Sequence, residues 1–148
     1  MQVTLEGNNA SYRIHAYEPG YISIAIPKQL ELPPDGHPDR VSSASMWRDK
    51  LEDSFVITPE CLIRNWASND FSTLKASDFS KLVSLEPEIV LFGSGKRLLR
   101  PPTEVLASLI DAGIGVEIMD TGAACRTFNI LMNDGRRVAA ALMMIDDI

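Results

Sequence analysis

Residues 88–145 read EIVLFGSGKRLLRPPTEVLASLIDAGIGVEIMDTGAACRTFNILMNDGRRVAAALMMI, and the changes of period within them decide the fold. The run from Glu88 to Gly93 is short, apolar and stopped by glycine, as a buried strand is. PPTEVLASLIDAG follows, with proline at a helix start, Val105, Leu106, Leu109 and Ile110 on one face, and Gly113 just past the end. A second strand is expected over residues 114–119. Asp120 and Thr121 are natural caps for a helix through TGAACRTFNILMN, which would bury Ala124, Phe128 and Leu131. Asp134-Gly135 ends that helix, and RRVAAALMMI reads as a closing strand, although its alanines suit a helix equally well. A β-α-β-α-β order implies right-handed crossovers and a largely parallel sheet.

Upstream, YRIHAYEP and GYISIAIP flank a Pro19-Gly20 turn signal and are rich in aromatic and β-branched residues, which predicts an antiparallel hairpin. From residue 27 to residue 53, proline, glycine, aspartate and serine break any period, so this segment is expected to be a long loop or insertion. SFVITPECLIRNWA resumes strand character on both sides of a Thr58-Pro59 corner, with Trp66 ending it as a core residue. Asp78 is expected to cap a short helix through Leu82, with Pro87 before the next strand. The expected fold class is therefore α/β. It is a single three-layer domain over residues 1–148, with a central mixed, largely parallel sheet, a β-α-β-α-β second half and an N-terminal antiparallel β extension.

Composition narrows the function. At 148 residues and 45% hydrophobic content, one domain with a real core is expected. A net charge of −6, with no basic run interleaved with aromatics, argues against nucleic acid as a partner. The longest apolar run, VAAALMMI, falls far short of the roughly 20 residues that span a bilayer, so membrane insertion is not expected. The N-terminus has neither a secretory h-region nor the Arg-rich character of a transit peptide. Cys61 and Cys125 are too few for a disulfide framework. A soluble, cytoplasmic protein without a metal or other cofactor is the expectation. His15 and His37 are the only histidines, which leaves little to build a metal centre from.

Two stretches are polar enough to be sites. Gly93-Ser94-Gly95 directly follows a strand, where a tight turn presents backbone amides to an anion, and Lys96-Arg97 adds positive charge. The dinucleotide fingerprint lacks its third glycine, since Leu98 stands there, and the phosphate-loop ending is absent, so a turn needed only for chain reversal is preferred. Asp120, Thr121, Cys125, Arg126 and Asn129 form the other stretch. A cysteine early in a helix can be a reactive thiol, but no histidine is tied to this helix as a base, and a small buried thiol is preferred. Arg126 and Asn129, three apart on one helix face, are expected to brace the helix opening against the glycine turn, with Arg126 partly buried. Trp47, within the proline-rich segment, is the candidate interface residue.

Taken together and in order, YEPGYISI, PEIVLFGSGKR and GIGVEIMDTGAACRTFNILMNDGRRVAAAL resemble one small α/β domain family. That family includes mitochondrial respiratory complex I assembly factor 3 and the adipogenesis-associated domain protein, with many uncharacterised bacterial members. The resemblance covers residues 12–145. It implies a compact three-layer fold with a mixed sheet. The family's glycine turn corresponds to Gly93, Ser94 and Gly95, and its Arg-Thr-aromatic-Asn signature to Arg126, Thr127, Phe128 and Asn129. Residues 27–53 depart from it, with few positions that align.

The resemblance also implies a function by binding, because no enzymatic chemistry is established for the family as a class and the mitochondrial relative works by binding other proteins. Such a transfer is analogy, since a fold does not fix a function. The leading expectation is a non-enzymatic protein-binding module, by analogy an assembly factor for a respiratory or other membrane complex, with a protein partner. The alternative is a small-molecule or anion-binding domain in which the glycine turn converges on the helix start after Asp120.

Overall fold

The computed structural model describes residues 11–34 and 46–146. Strands β1 (Arg13–Glu18) and β2 (Tyr21–Pro27) form the expected hairpin, turned by Gly20 at φ +91°. A third strand, β3 (Met46–Leu51), pairs antiparallel with β2, setting Leu51 opposite Ile22 and Trp47 opposite Ile26. This strand corrects the expectation of a loop over residues 27–53. Trp47, Asp49 and Leu51 alternate with Arg48, Lys50 and Glu52, so a two-residue period was present beneath a charged texture. Residues 35–45 of that segment lie outside the described residues.

The larger sheet contains β4 (Phe55–Ile57), β5 (Leu62–Arg64), β6 (Ile89–Gly93), β7 (Gly115–Met119) and β8 (Val138–Leu142), in the order β5-β4-β8-β6-β7. β6 runs parallel to both β7 and β8, while β4 is antiparallel to β8 and β5. The sheet is mixed, and the three N-terminal strands form an antiparallel sheet of their own. On one face lie α1 (Ala76–Ser80), a 3-10 turn over Lys81–Leu85, and α2 (Thr103–Asp111). The other face carries α3 (Thr121–Asn133) and the small sheet. Three layers result, as expected of an α/β domain.

Each face has its own core. Ile22, Ile24, Ile26, Trp47, Phe55 and Phe128 are buried between the small sheet, α3 and the central sheet. Trp66, Phe79 and Phe92 pack on the opposite face, with Phe79 edge-on to Trp66 at 5.3 Å and to Phe92 at 5.4 Å between ring centroids. β8 is buried along its whole length, with Ala140 and Leu142 facing the first core and Ala139 and Ala141 the second. A central strand covered on both sides reads as a continuous apolar run, and this resolves the strand-or-helix ambiguity of its alanines. In α2 the buried stripe is Leu106 and Leu109. Ile110, expected beside them, is exposed because it sits about 100° further round the helix from Leu109.

Trp47 is also corrected. It is 1% exposed inside the first core, and its indole N–H donates to the Glu31 carbonyl at 2.9 Å. A side chain so enclosed presents no surface to a partner in this structure.

Candidate functional site at the strand ends

The glycine turn and the start of α3 converge, as the topology predicts, where β6, β7 and β8 end. Thr121, the first residue of α3 and wholly buried, joins all three. Its amide donates to the Gly95 carbonyl at 2.9 Å, its Oγ1 accepts from the Gly95 amide at 2.8 Å, and the same hydroxyl donates to the Met143 carbonyl at 2.8 Å. A hydroxyl has one proton to give, and here it goes to the end of β8 while a lone pair serves the turn after β6.

Gly93 makes this fit possible. A Cβ there would stand 2.9 Å from both Thr121 Oγ1 and Leu142 Cδ2 and 3.0 Å from Thr121 Cα, closer than side chains pack. Gly95 follows at φ +100°, a backbone conformation that favours glycine. Between them, Ser94 donates its amide to the Met119 carbonyl at 3.0 Å. Its hydroxyl donates to the Arg97 carbonyl and accepts from the Leu99 amide at 2.9 Å, folding residues 94–99 into a braced loop.

In open α/β sheets ligands collect outside the carboxyl ends of the strands. Here the part of that crevice between the glycine turn and α3 is filled from within. The amides of Ser94, Gly95 and Thr121 are engaged as described, the Asp120 carboxylate accepts from the Ala123 amide at 2.9 Å as the helix cap, and the Ala124 amide donates to the Asp120 carbonyl. The turn and the helix start are thereby tied directly to each other. A cleft of about 410 Å³ opens beside the same turn, where Ser94, Gly95, Lys96, Arg97 and Leu99 face Asp70, Phe71, Met143 and Asp146.

Cys125 lies in the second turn of α3, buried against the first core, and burial pushes its thiol up to about 12 even though Arg126 acts in the opposite direction. It therefore stays protonated at neutral pH, the reverse of an activated nucleophile. Of the two histidines, His15 is exposed on β1 and His37 lies outside the described residues.

Arg126 and Asn129 share a helix face, but that face looks onto the small sheet and not onto the glycine turn. Arg126 is exposed and donates to the Tyr17 hydroxyl, its guanidinium carbon 5.9 Å from the ring centroid. Asn129 does the bracing. Its Oδ1 accepts from the Ile14 amide at 2.9 Å and its Nδ2 donates to the Ile14 carbonyl at 2.8 Å, so a side-chain amide pairs with the outer edge of β1 as a neighbouring strand would. The expectation of a partly buried Arg126 holding the turn is thus overturned, because Thr121 holds the turn and α3 uses the shared face to carry the small sheet.

Sequence reasoning missed Tyr17. A Cβ on Gly122 would lie 2.9 Å from Tyr17 Cε1, so the glycine admits the ring against the helix start. The signal was available, since a glycine in the first turn of a helix is a poor helix former that marks a close approach.

Fold and site together define a small mixed-sheet α/β domain whose glycine turn is tied to its last helix by a buried threonine. The chain belongs to the family described as Protein of unknown function (DUF498/DUF598), whose model matches residues 39–143. It is 40% identical over 90 residues to the human NADH dehydrogenase [ubiquinone] 1 alpha subcomplex assembly factor 3, a match covering 60% of this chain and 48% of that protein. It is also 33% identical over 75 residues to the 13 kDa major membrane protein of Francisella tularensis, covering 51% of this chain and 61% of that one. The chain thus spans about half the length of the mitochondrial relative it matches. Among solved structures, a crystal structure from Bordetella parapertussis matches with a TM-score of 0.71 at 30% identity, covering 91% of this chain and 97% of that one. A Bordetella pertussis protein described as an Mth938-like domain matches with a TM-score of 0.68 at 25% identity, over 94% of this chain and 89% of the other. The family resemblance and the fold class read from the sequence are both borne out. Among the described residues no helix is long and apolar enough to cross a membrane.

Proposed function

We propose that this protein is a non-enzymatic protein-binding module that acts in the assembly of a larger complex. The observation that carries the reading is the closure of the gap between the glycine turn and α3. Between the glycine turn and α3, where an α/β enzyme of this topology could seat a ligand, Thr121 packs against Gly93, and the one cysteine beside it is kept protonated by burial. Similarity to an assembly factor supplies the kind of role, since that relative is named for helping to build a respiratory enzyme. A cytoplasmic site of action goes with this reading, and cell fractionation checks it. The test of the function is affinity purification at native abundance, repeated with the recovered partner as bait. A specific partner in both directions is expected. Repeated recovery of no specific protein, together with turnover of a metabolite by the purified chain, would overturn the proposal.

A further inference from the structure

The five residues 96–100, KRLLR, are exposed without interruption. Leu98 is 52% and Leu99 41% exposed, and they are the adjacent pair among the exposed large hydrophobics of the described residues. Lys96 and Arg97 precede them and Arg100 follows. The segment is also held in place. Ser94 Oγ bonds at both Arg97 and Leu99, and Pro101 and Pro102 fix the exit, with Pro101 buried. Nothing in the fold requires two leucines to stand in water there, and a braced loop loses little conformational entropy when it docks.

We propose that residues 96–100 form a peripheral docking loop for an anionic lipid surface. Leucines flanked on both sides by long cationic side chains match the boundary between headgroups and acyl chains. Apolar tips enter there while guanidinium and ammonium groups stay among the phosphates. Charge complementarity is local. The whole chain carries −6, which leaves −9 once these three cations are set aside, so an anionic bilayer repels the bulk of the protein and accepts this loop alone. Asp70 and Asp146, which line the cleft beside Lys96 and Arg97, reduce the local excess to a small positive value and make the leucines necessary. Binding by one short loop is weak and reversible, and it is strengthened by any membrane-bound partner.

The test is flotation of the full chain with phosphatidylcholine vesicles made with and without phosphatidylglycerol, at low and high salt. Flotation is expected with phosphatidylglycerol at low salt, and none with phosphatidylcholine alone. The double variant Lys96→Gln, Arg97→Gln removes two surface charges at roughly fivefold each, so partitioning falls about twenty-five-fold. Leu98→Ser with Leu99→Ser lowers it with the charges intact. Because all four side chains are exposed, the melting curves of both variants should match the parent, which separates lost docking from lost folding. Absence of flotation at low salt, equal flotation with neutral vesicles, or indifference to both variants would each overturn the assignment. Retention of the parent but not of the Gln variant on soluble polyglutamate, with no flotation, would instead assign the loop to an acidic protein and would equally overturn it.

Discussion

Replacing Thr121 with valine keeps the shape of the side chain and deletes one oxygen, so it isolates the hydroxyl that ties the strand ends together. Two hydrogen bonds go, from the Gly95 amide at 2.8 Å and to the Met143 carbonyl at 2.8 Å, and both are buried. The methyl that takes the place of the oxygen leaves each of those buried groups without that partner. A buried group left unpaired costs about 1–3 kcal/mol, so two of them place the loss at roughly 2–6 kcal/mol, against a total stability of about 5–15 kcal/mol for a domain. For a chain of this size each kcal/mol moves the melting temperature by about 2–4 °C, and a fall of order 10 °C is expected. Thermal and urea unfolding followed by circular dichroism measure it directly. Thr121→Ser supplies the control, since it keeps the oxygen and loses a methyl, and should cost about 1 kcal/mol. If the valine variant were within about 0.5 kcal/mol of the parent, or more stable than the serine variant, the hydroxyl would not be the tie and the reasoning would fail.

Gly93→Ala forces a methyl to within 2.9 Å of Thr121 Oγ1 and Leu142 Cδ2; overpacking of about 1–3 kcal/mol is expected in the same unfolding assay. Asn129→Ala removes two bonds to Ile14 and should cost about 1–2 kcal/mol, whereas Arg126→Ala, which loses one exposed contact to Tyr17, should cost less than about 1 kcal/mol; the opposite ranking would contradict the roles assigned to α3. Iodoacetamide at mildly alkaline pH should label Cys61, which is only partly buried, and spare Cys125 until the chain unfolds. The Cys125 thiol is raised from 9.0 to about 12 by burial, so the native state holds that proton longer than the unfolded one. Its contribution is fully present below about pH 9 and is lost as pH rises towards 12, and a Cys125→Ala variant should flatten that part of the stability profile.

The second half of the fold was legible because its punctuation is local. Asp120 caps α3 through its own side chain, Gly113 and Gly135 end helices with positive φ, and the strands between them are short apolar runs. β3 was not legible, because its inward residues Trp47 and Leu51 are separated by charged residues and their partners on β2, Ile26 and Ile22, lie about twenty to thirty positions earlier. For the same reason Trp47 read as an interface residue: pairing across a sheet buries it, and no nearby neighbour in sequence announces that. At the site, convergence of the glycine turn on the start of α3 followed from parallel topology alone. Which residue closed the gap did not, because Thr121 acts through the carbonyl of Met143 and the amide of Gly95, backbone groups brought to it only by the finished sheet. The direction in which Arg126 and Asn129 point depended likewise on where the small sheet packs.

The clamp of Asn129 on Ile14 gives the small sheet a reporter of its own attachment. The Ile14 amide donates to a side chain of α3 and not to a strand, so solvent deuterium reaches it only when the helix and β1 part. Its exchange rate, compared with that of an amide deep in the β6–β8 ladder, measures whether the two sheets open as one cooperative unit or whether the hairpin can peel away while the α/β body stays closed. A match between the two rates would mark the Asn129 amide as the joint through which the N-terminal strands share the stability of the rest of the domain.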